Sequence, residues 1–553
     1  MTDATALSAT KITIDPQKEK DLKACSRFLS LATMGHDYGD IVKLYNYRGN
    51  SLEQKFRNWV FDEFQRGGVS SVFRKLEERG CLNLRFFGGA AQFDSALVGV
   101  CLDQGGLRTR VAFALSQIFV MAPTRSGEFM GAAHFWDTLV SHSFGSFRTL
   151  LGKVCRSPSM AKYLTFLNNK KAQEGGGVPD ENFARELMQL FTIGLYRLNN
   201  DGSLVKLNGK PVETYSQEDI MELAKVFTGW VMDGRVISPD PELGRVGNAD
   251  AYRRDLVQAT APNQDWYEKG QKSFLRHRPE VGSPKLVIPE NTPAQRALEL
   301  TLDHIFNHPN VPPFIGKQLI QRLVTSNPSP AYVERVSRKF INNGNGVRGD
   351  LEAVIMAVLT DPEAITRKPP VDKVREPFLR FTAWARAFSA DCKGEGMMGY
   401  WNLGNLSDPA TRLGQSPMRS PSVFNFFRPG YVPPGTRIAK EGRVAPEFQL
   451  VDEVSVAGYI NFMQMVIEER WTKEGKRLIK ADYERWLPVA HDAQKLFDRV
   501  NLVLAAGQIG SLRGARIVEA LNSLPATTSA EKIKRIQVAT LLVMACPQYI
   551  AMV

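Results

Sequence analysis

One short segment of the chain carries charged residues at a spacing that suits acid–base chemistry. Arg185 stands next to Glu186, and Asn182 precedes Glu186 by four residues. Side chains four residues apart lie side by side on a helix, and an arginine beside a carboxylate can orient it for proton transfer or hold an anion. We expect Arg185 and Glu186 to be catalytic and Asn182 to bind ligand. The alternative is a buried salt-bridge network that joins this helix to its neighbours.

A second candidate is the aromatic and proline-rich segment 419–431. Asn425 and Arg428 flank two phenylalanines in it. Loops of this composition often line ligand sites, and an arginine among aromatic rings can hold an anionic or ring-bearing ligand. Asn425 and Arg428 are therefore predicted to contact ligand. The alternative is an aromatic plug that seals the core.

Histidines offer two weaker candidates. His304 and His308 have the four-residue spacing that can place two metal ligands on one helix face, but no third ligand stands nearby in the sequence. We expect His308 to cap or pack at a helix junction, and no metal is predicted. His134 and Asp137 could share a face in a segment that also holds His142. An amphipathic helix with satisfied polar edges is the favoured interpretation of that segment.

Several catalytic signatures are absent from the sequence. It has no GxSxG, GxxxxGK[ST] or HExxH motif and no glycine fingerprint of a dinucleotide site in the required context. These absences argue against a serine hydrolase, a nucleotide hydrolase and a zinc protease. Two carboxylates could still meet in space for glycoside or ester hydrolysis, and the cofactor, if there is one, is unknown.

The composition is that of a globular protein with a basic balance. The 553 residues carry a net charge of +12, from 70 basic and 58 acidic residues. These charges are interspersed and accompany no recognition motif, so nucleic-acid binding is not predicted. Six cysteines occur without a CxxC pair, which is typical of reduced thiols. With no signal peptide at the start and no long apolar stretch, the sequence predicts a cytoplasmic protein without a transmembrane segment.

Helical periodicity dominates the chain and must position the candidate residues. Asp180 is a good N-cap for the helix that carries Glu186, and its apolar stripe comprises Phe183, Leu187, Leu190 and Phe191. Residues 107–122 are predicted to form a buried helix. Ser216, with Asp219 three residues later, predicts another helix start. Asp-Gly and Asn-Gly pairs between these regions predict a small β-meander over about 195–215.

The domain organisation is predicted to be simple. Residues 1–18 form a flexible tail, and 19–553 form a single large helical unit. Two long irregular excursions, 232–292 and 395–450, interrupt the helices because both are rich in Gly and Pro. The fold class is therefore mainly α, with a large multi-helix globular core, a small β-meander and these two excursions.

Four segments together resemble the bacterial family catalogued as domain of unknown function 1800. They are ENFARELMQLFTIGLYRLNNDGS, FTGW, FNHPNVPPFIGKQLIQRLVTSNPSPAYVERV and SPSVFNFFRPGYVPPGT. The resemblance implies no assigned reaction. Members of the family are often exported and often encoded beside a second family that resembles sulfatases. The resemblance therefore implies, as alternatives, an exported location and a sulfatase-like partner protein.

The sequence departs from the family pattern at one motif. The family often shows His-Asp-x-Gly-x-Lys, and the nearest match here is Tyr267-Glu268-Lys269-Gly270-Gln271-Lys272. The glycine and lysine remain, but a role for the histidine does not carry over. We expect Lys272 to bind ligand beside the 181–189 helix face and the 419–431 loop.

Two functional hypotheses follow. The first is an enzyme or ligand-binding protein with an Arg/Glu-centred cleft for an anionic or polar substrate. The second is a non-catalytic helical scaffold that docks a partner protein. Convergence of Arg185, Glu186 and Arg428 on an open pocket would favour the first, and mutual burial with an apolar patch elsewhere would favour the second.

Overall fold

The computed structural model describes residues 15–68, 70–81, 89–123, 128–173, 177–232, 260–366, 373–392, 401–473 and 476–552. Helices dominate these ranges, and the strands pair only as short antiparallel two-stranded sheets. The prediction of a mainly α fold is confirmed.

The α-helices of the described residues are α1 Pro16–Ala32, α2 Tyr38–Tyr45, α3 Leu52–Gln65, α4 Val72–Glu78, α5 Ala90–Asp103, α6 Leu107–Ser116, α7 Phe129–Ser141, α8 Phe147–Cys155, α9 Pro158–Tyr163, α10 Asn182–Gln189, α11 Gln217–Ala224, α12 Ala294–Asn307, α13 Val311–Leu323, α14 Pro330–Ile341, α15 Leu351–Leu359, α16 Pro362–Ile365, α17 Pro377–Ala387, α18 Arg437–Lys440, α19 Glu453–Ile467, α20 Leu487–Ala490, α21 Ala493–Ala505, α22 Ser511–Asn522, α23 Ser529–Met544 and α24 Pro547–Ile550. The strands are β1 Lys206–Leu207, β2 Lys210–Pro211, β3 Trp230–Val231, β4 Ala261–Pro262, β5 Lys272–Arg276, β6 Lys285–Ile288, β7 Lys373–Val374, β8 Thr472–Lys473, β9 Lys476–Arg477 and β10 Ala551–Met552.

Side-chain caps determine where many of these helices begin. Ser216 and Asp219 form the predicted capping box at the start of α11, because each side chain accepts from a backbone N–H of the other residue. Ser329 caps α14, since its side chain accepts from the Tyr332 N–H. The predicted cap at Asp180 lies one residue too early: α10 begins at Asn182 after Glu181. The Asp180 carboxylate nevertheless accepts from the Asn182 N–H at 2.8 Å.

The β-meander predicted over about 195–215 is present. Tyr196 bridges to Glu213 and Leu198 to Leu204, and β1 pairs with β2. Asn208 and Gly209 turn the chain between β1 and β2 with φ of 51° and 78°. Two successive residues with positive φ match the twist of the flanking strands, which explains the Asn-Gly pair.

Of the two regions predicted to be irregular, the first contains a hairpin and the second is irregular over most of its described length. In the first, residues 233–259 lie outside the described residues, and the rest holds an antiparallel hairpin in which β5 pairs with β6. This hairpin was not predicted from the sequence, because a register shift between Phe274 and Arg276 breaks the alternation of apolar and polar residues. In the second, residues 401–436 contain no helix or strand, as expected.

Two other boundaries differ from the sequence-based expectation. α1 begins at Pro16, inside the segment expected to be a tail, because the Asp15 side chain accepts from the Gln17 N–H. α6 ends at Ser116, although the chain stays buried as far as Ala122. Burial rather than helical geometry therefore accounts for the long apolar run after Leu107.

The buried apolar side chains form one contiguous cluster. The α10 stripe joins it through Phe183, Leu187 and Phe191, each at most 1% exposed. The Phe183 ring lies 4.4 Å from that of Phe166 and 4.7 Å from that of Phe227. α10 is thus held by aromatic contacts to the chain before it and after α11. No helix in the described ranges is long and apolar enough to cross a bilayer.

All six cysteines are free thiols. Five are buried, and Cys546 is partly buried. Burial raises the pKa of Cys25 to about 12 and raises the pKa of Cys81, Cys392 and Cys546 above the ordinary range. These sulfurs pack as small apolar groups.

A pair of opposite charges lies in the interior. The Lys373 Nζ is 2.5 Å from a Glu447 carboxylate oxygen, and both side chains are 1% exposed. The same Nζ donates to the Gln321 carbonyl at 2.8 Å, and Ser326 donates to the other Glu447 oxygen at 3.3 Å. The pair joins β7 to the end of α13 and to the turn at 446–450.

Glu376 extends this polar interior. It is fully buried and accepts from the side-chain amides of Gln117 and Gln415, each at 2.5 Å. Arg110 and Arg322 lie close enough to Glu376 and Glu447 for their charges to interact. Three cations and two carboxylates therefore share one region of the core, which we call the buried charge network.

Removing one member of the Lys373–Glu447 pair should be costly. We expect Lys373→Met to lower the free energy of unfolding by about 3–5 kcal/mol, because the buried Glu447 loses its direct ion-pair partner. Chemical unfolding of the full chain measures this loss. Lys373→Met combined with Glu447→Leu should recover most of it, and a single substitution that costs under about 1 kcal/mol would contradict the assignment.

Candidate functional site

A pocket of about 460 Å³ opens between the N-terminal helices and α17. Its walls come from α1 and α2, the end of α3, the turn between α5 and α6, and the end of α17. Most of its lining is polar or glycine, and it includes His36, Glu63, Arg66, Arg108 and Arg386. We call it the Glu63 pocket.

Glu63 is the most deeply buried acid in this pocket, at 5% exposure. One carboxylate oxygen accepts from the Leu107 N–H at 3.2 Å, and the other lies 2.7 Å from the Arg66 guanidinium. Burial raises the pKa of Glu63, although Arg66 and the Leu107 N–H act in the opposite direction. A raised pKa brings a carboxyl group closer to the range in which general acids and bases act.

A glycine allows this carboxylate to reach the start of α6. A Cβ at Gly106 would lie 2.7 Å from the Glu63 Oε2 atom, which is closer than real Cβ atoms approach an oxygen. Gly106 is the N-cap of α6 and offers no side-chain cap. Glu63 therefore supplies from α3 the acceptor that this helix start lacks.

His36 is buried against the same pocket and has a defined tautomer. The Ser26 hydroxyl lies 2.6 Å from the Leu502 carbonyl, and since a carbonyl only accepts, the single hydroxyl proton lies there. The His36 Nε2, 3.0 Å from the same hydroxyl oxygen, must then be the donor. This leaves Nδ1 as a bare acceptor, buried and without a hydrogen-bond partner among the described residues.

Electrostatics keep His36 in this neutral form. Burial, together with the charges of Arg375 and Arg386, lowers the pKa of His36 to about 3. The ring is therefore a weak base and a good hydrogen-bond acceptor at neutral pH. A buried acceptor without a partner costs free energy, so a ligand N–H or O–H placed at Nδ1 would remove that cost.

Three guanidinium groups provide positive charge around these acceptors. Arg386 donates to the Gly35 and Leu102 carbonyls at 2.6 Å and 2.7 Å, which fixes its position. Arg108 lies over the Phe144 ring at 4.3 Å. Arg66 is 71% exposed at the rim. The pocket thus combines two buried acceptors with guanidinium groups that bind oxyanions well.

The sequence did not single out His36 or Glu63. One signal was present for Glu63: in α3 it shares the face of Phe56, Val60 and Phe64, all buried. A charged residue on an apolar stripe is unusual and indicates a buried polar function or a buried pair. His36 gave no comparable signal, because its partner Ser26 becomes a neighbour only in the folded chain.

The predicted site residues of α10 differ in their exposure and in their partners. Arg185 lies 3.1 Å from Glu181 and donates to the Gln217 side chain at 3.2 Å. Asn182 is exposed. Glu186 was predicted on the polar face, but it is only 7% exposed. Its Oε2 atom has no hydrogen-bond partner among the described residues, and burial raises its pKa.

Lys272 lies at the start of β5 and is fully buried. Its Nζ donates to the Glu268 carbonyl at 2.6 Å and to the Gly270 carbonyl at 2.9 Å, and it sits 4.7 Å from the Tyr267 ring. In the loop 267–272, the Lys272 side chain therefore binds two backbone carbonyl groups of the same loop. It contacts the FTGW segment, where a Cβ at Gly229 would lie 2.9 Å from the Tyr267 Cα.

Asn425 is buried and Arg428 is exposed. Asn425 is 5% exposed with φ of 67°, and the Arg428 guanidinium lies 5.2 Å from the Phe424 ring. Phe427 is buried against the Arg322 guanidinium at 5.4 Å. Within the described ranges, no hydrogen bond or ion pair joins these two residues or Lys272 to Arg185 or Glu186.

The histidine pair of α12 makes bonds to the protein itself. His304 is 2.8 Å from the Leu275 carbonyl. His308 Nδ1 accepts from the Asn310 N–H at 3.1 Å, and its Nε2 lies 2.9 Å from the Arg197 guanidinium. His308 thus packs at the junction of α12 and α13, as the sequence analysis favoured. Among the described residues, no three His, Cys, Asp or Glu side chains form a group that could hold a metal ion.

The raised pKa of Glu63 predicts how stability depends on pH. Since folding favours the neutral carboxyl, the stability this group contributes is present below pH 4.5, its ordinary pKa, and is lost as pH rises through its higher folded-state pKa. We expect Glu63→Gln to become more stable relative to the natural chain as pH rises above 4.5. Unfolding free energies at several pH values measure this difference.

The matched control is Glu53→Gln, because Glu53 is an exposed residue of the same helix. Its difference from the natural chain should stay flat with pH. A flat difference for Glu63→Gln as well would mean that Arg66 fully offsets the effect of burial.

Comparison with known families matches residues 91–551 to the family described as protein of unknown function (DUF1800). No curated protein and no solved structure matches the chain. Arg108 and Arg386 fall inside the matched region, whereas His36 and Glu63 precede it. Because the match covers most of the sequence, the chain belongs to this family.

Proposed function

We propose that the protein binds a small anionic molecule with several hydroxyl groups, of the sugar-acid or sugar-phosphate class, in the Glu63 pocket. The observation that carries this proposal is the meeting of two buried acceptors, Glu63 and His36 Nδ1, with guanidinium groups in one pocket. The volume of about 460 Å³ lies within the range of small-molecule sites.

Each part of such a ligand has a counterpart in the pocket. Ligand hydroxyls donate to His36 Nδ1 and to the Glu63 carboxylate, and the anionic group is held by Arg66 at the rim or Arg108 on the wall. If the ligand is a substrate, Glu63 is the group placed to move a proton. The proposed site is again centred on arginine and glutamate, but its residues are Glu63, Arg66 and Arg108 and not the ones proposed from the sequence.

The face of α10 is a second candidate position for the same function. It is supported by one observation, the buried Glu186 oxygen without a hydrogen-bond partner in the described part of the chain. Arg185 stands beside it and lowers its pKa against the effect of burial. In this alternative Glu186 and Arg185 are catalytic, and Asn182 contacts the ligand.

The scaffold hypothesis is favoured by a different feature. Leu195, Leu204 and Leu207 of the β-meander are 48%, 41% and 61% exposed. Exposed apolar side chains close together often mark a protein contact. A partner protein, such as the sulfatase-like protein that the family resemblance suggests, would cover this surface in the alternative function.

A ligand screen tests these positions against each other. Melting temperatures of the full chain are measured with sugar acids, sugar phosphates and neutral sugars, and hits are quantified by calorimetry. We expect anionic hits whose affinity falls about tenfold or more in Glu63→Gln, since hydrogen bonds to charged groups contribute about 1.5–3 kcal/mol. Arg66→Gln should weaken anionic hits and leave neutral sugars unchanged.

Glu53→Gln serves as the matched control and should bind as the natural chain does. Hits lost in Glu186→Gln but kept in Glu63→Gln would assign the site to α10 instead. The absence of any hit from all three ligand classes would contradict both positions and favour the scaffold.

A further inference from the structure

A second pocket lies where α7, α8 and α9 meet. Its volume is about 350 Å³. α7 and the residue after it contribute His134, Asp137 and His142; Lys153 comes from α8, and Arg156 precedes Ser157, the N-cap of α9. It shares no lining residue with the Glu63 pocket. We call it the Arg156 pocket.

The two full positive charges of this pocket are not neutralised by the described residues. Lys153 is exposed and Arg156 is partly buried, and neither forms an ion pair with a described acid. The Arg156 Nε atom is buried and has no hydrogen-bond partner within those residues. A guanidinium with an unused donor can bind an oxyanion in the two-pronged geometry that arginine favours.

Asp137 is the only acid among the residues that line the pocket, and its oxygens are already occupied. One oxygen accepts from the Val72 N–H at 2.9 Å, and the other accepts from the Phe73 N–H at 3.1 Å and from the Ser71 hydroxyl. These donors belong to the start of α4. The carboxylate is therefore committed to that helix start and does not compensate Lys153 or Arg156.

The remaining polar groups of the pocket have free donor or acceptor capacity. His142 Nδ1 lies 2.9 Å from the Thr138 carbonyl, so Nδ1 is the donor and Nε2 is the nitrogen left for a ligand. The Ser157 oxygen accepts from the Met160 N–H at 3.4 Å, which leaves its proton to donate. Burial and Lys153 lower the pKa of His134, so that ring is neutral at pH 7.

We propose that the Arg156 pocket is an anion site that takes the phosphate group of a small phosphorylated molecule. Arg156 and Lys153 supply the charge, the Ser157 hydroxyl donates to a phosphate oxygen, and His142 Nε2 accepts from a P–OH group or a hydroxyl of the ligand. Phosphate fits better than carboxylate because its oxygens point in several directions and can meet groups from three helices at once. This site is independent of the proposed function, since the two pockets share no residue.

Calorimetric titration of the full chain with inorganic phosphate and with a hexose phosphate tests this assignment. We expect both to bind, and Arg156→Gln to weaken both by about tenfold or more. Lys153→Gln should weaken both severalfold. The matched control is Lys339→Gln, which removes an exposed lysine of α14 away from the pocket and should leave both affinities unchanged.

Two further arms make the outcome decisive. If Arg156→Gln lowers the melting temperature, its loss of affinity could come from unfolding. The phosphate affinity of Lys153→Gln then tests the proposal, because the exposed Lys153 side chain is not needed for folding. Glu63→Gln should leave the affinity for inorganic phosphate unchanged, which separates this site from the Glu63 pocket. Equal affinity in Lys153→Gln and Lys339→Gln, or no binding of either phosphate at millimolar concentration, would overturn the proposal.

Discussion

The need to pair charges in the interior constrains this fold more than any other single interaction. Burying an unpaired charge is prohibitively costly, and Lys373 and Glu447 are paired at 2.5 Å with 1% exposure each. Since their partners come from sequence-distant elements, the arrangement of β7, α13 and the turn at 446–450 has little freedom. The 401–436 stretch, which has no helix or strand, is held at its Gln415 by the bond to Glu376. This hydrogen bond fixes the position of the irregular backbone around Gln415.

One helix connects this network to the Glu63 pocket. Glu376 is the N-cap of α17, and Arg386 is in its last turn. A helix is stiff over this length of roughly 15 Å, so the network at one end helps to position the guanidinium at the other. A second constraint acts at Gly35, whose φ is 138° and whose Cβ would lie 2.7 Å from the Ala383 Cα. This close approach brings His36 and Arg386 to the same pocket.

Local signals predicted much of the fold, and long-range pairing explains what they missed. The Ser216 capping box, the Asn208-Gly209 turn and the α10 stripe depend on neighbouring residues, so one sequence sufficed to find them. The burial of Glu186 was left open between a site and a buried network, because a helical wheel does not show which face a neighbouring element covers. His36 and Glu63 stayed hidden for the same reason, since their partners Ser26 and Leu107 become neighbours only in the folded chain.

The burial of the thiols limits their reaction with oxidants and with other disulfides. A thiol must become a thiolate and meet an oxidant before it forms a sulfenic acid or exchanges with a disulfide. Burial removes both conditions for five of the six cysteines, and the sixth has a raised pKa as well. The folded chain is therefore expected to undergo thiol oxidation and disulfide exchange more slowly than a chain whose thiols are exposed.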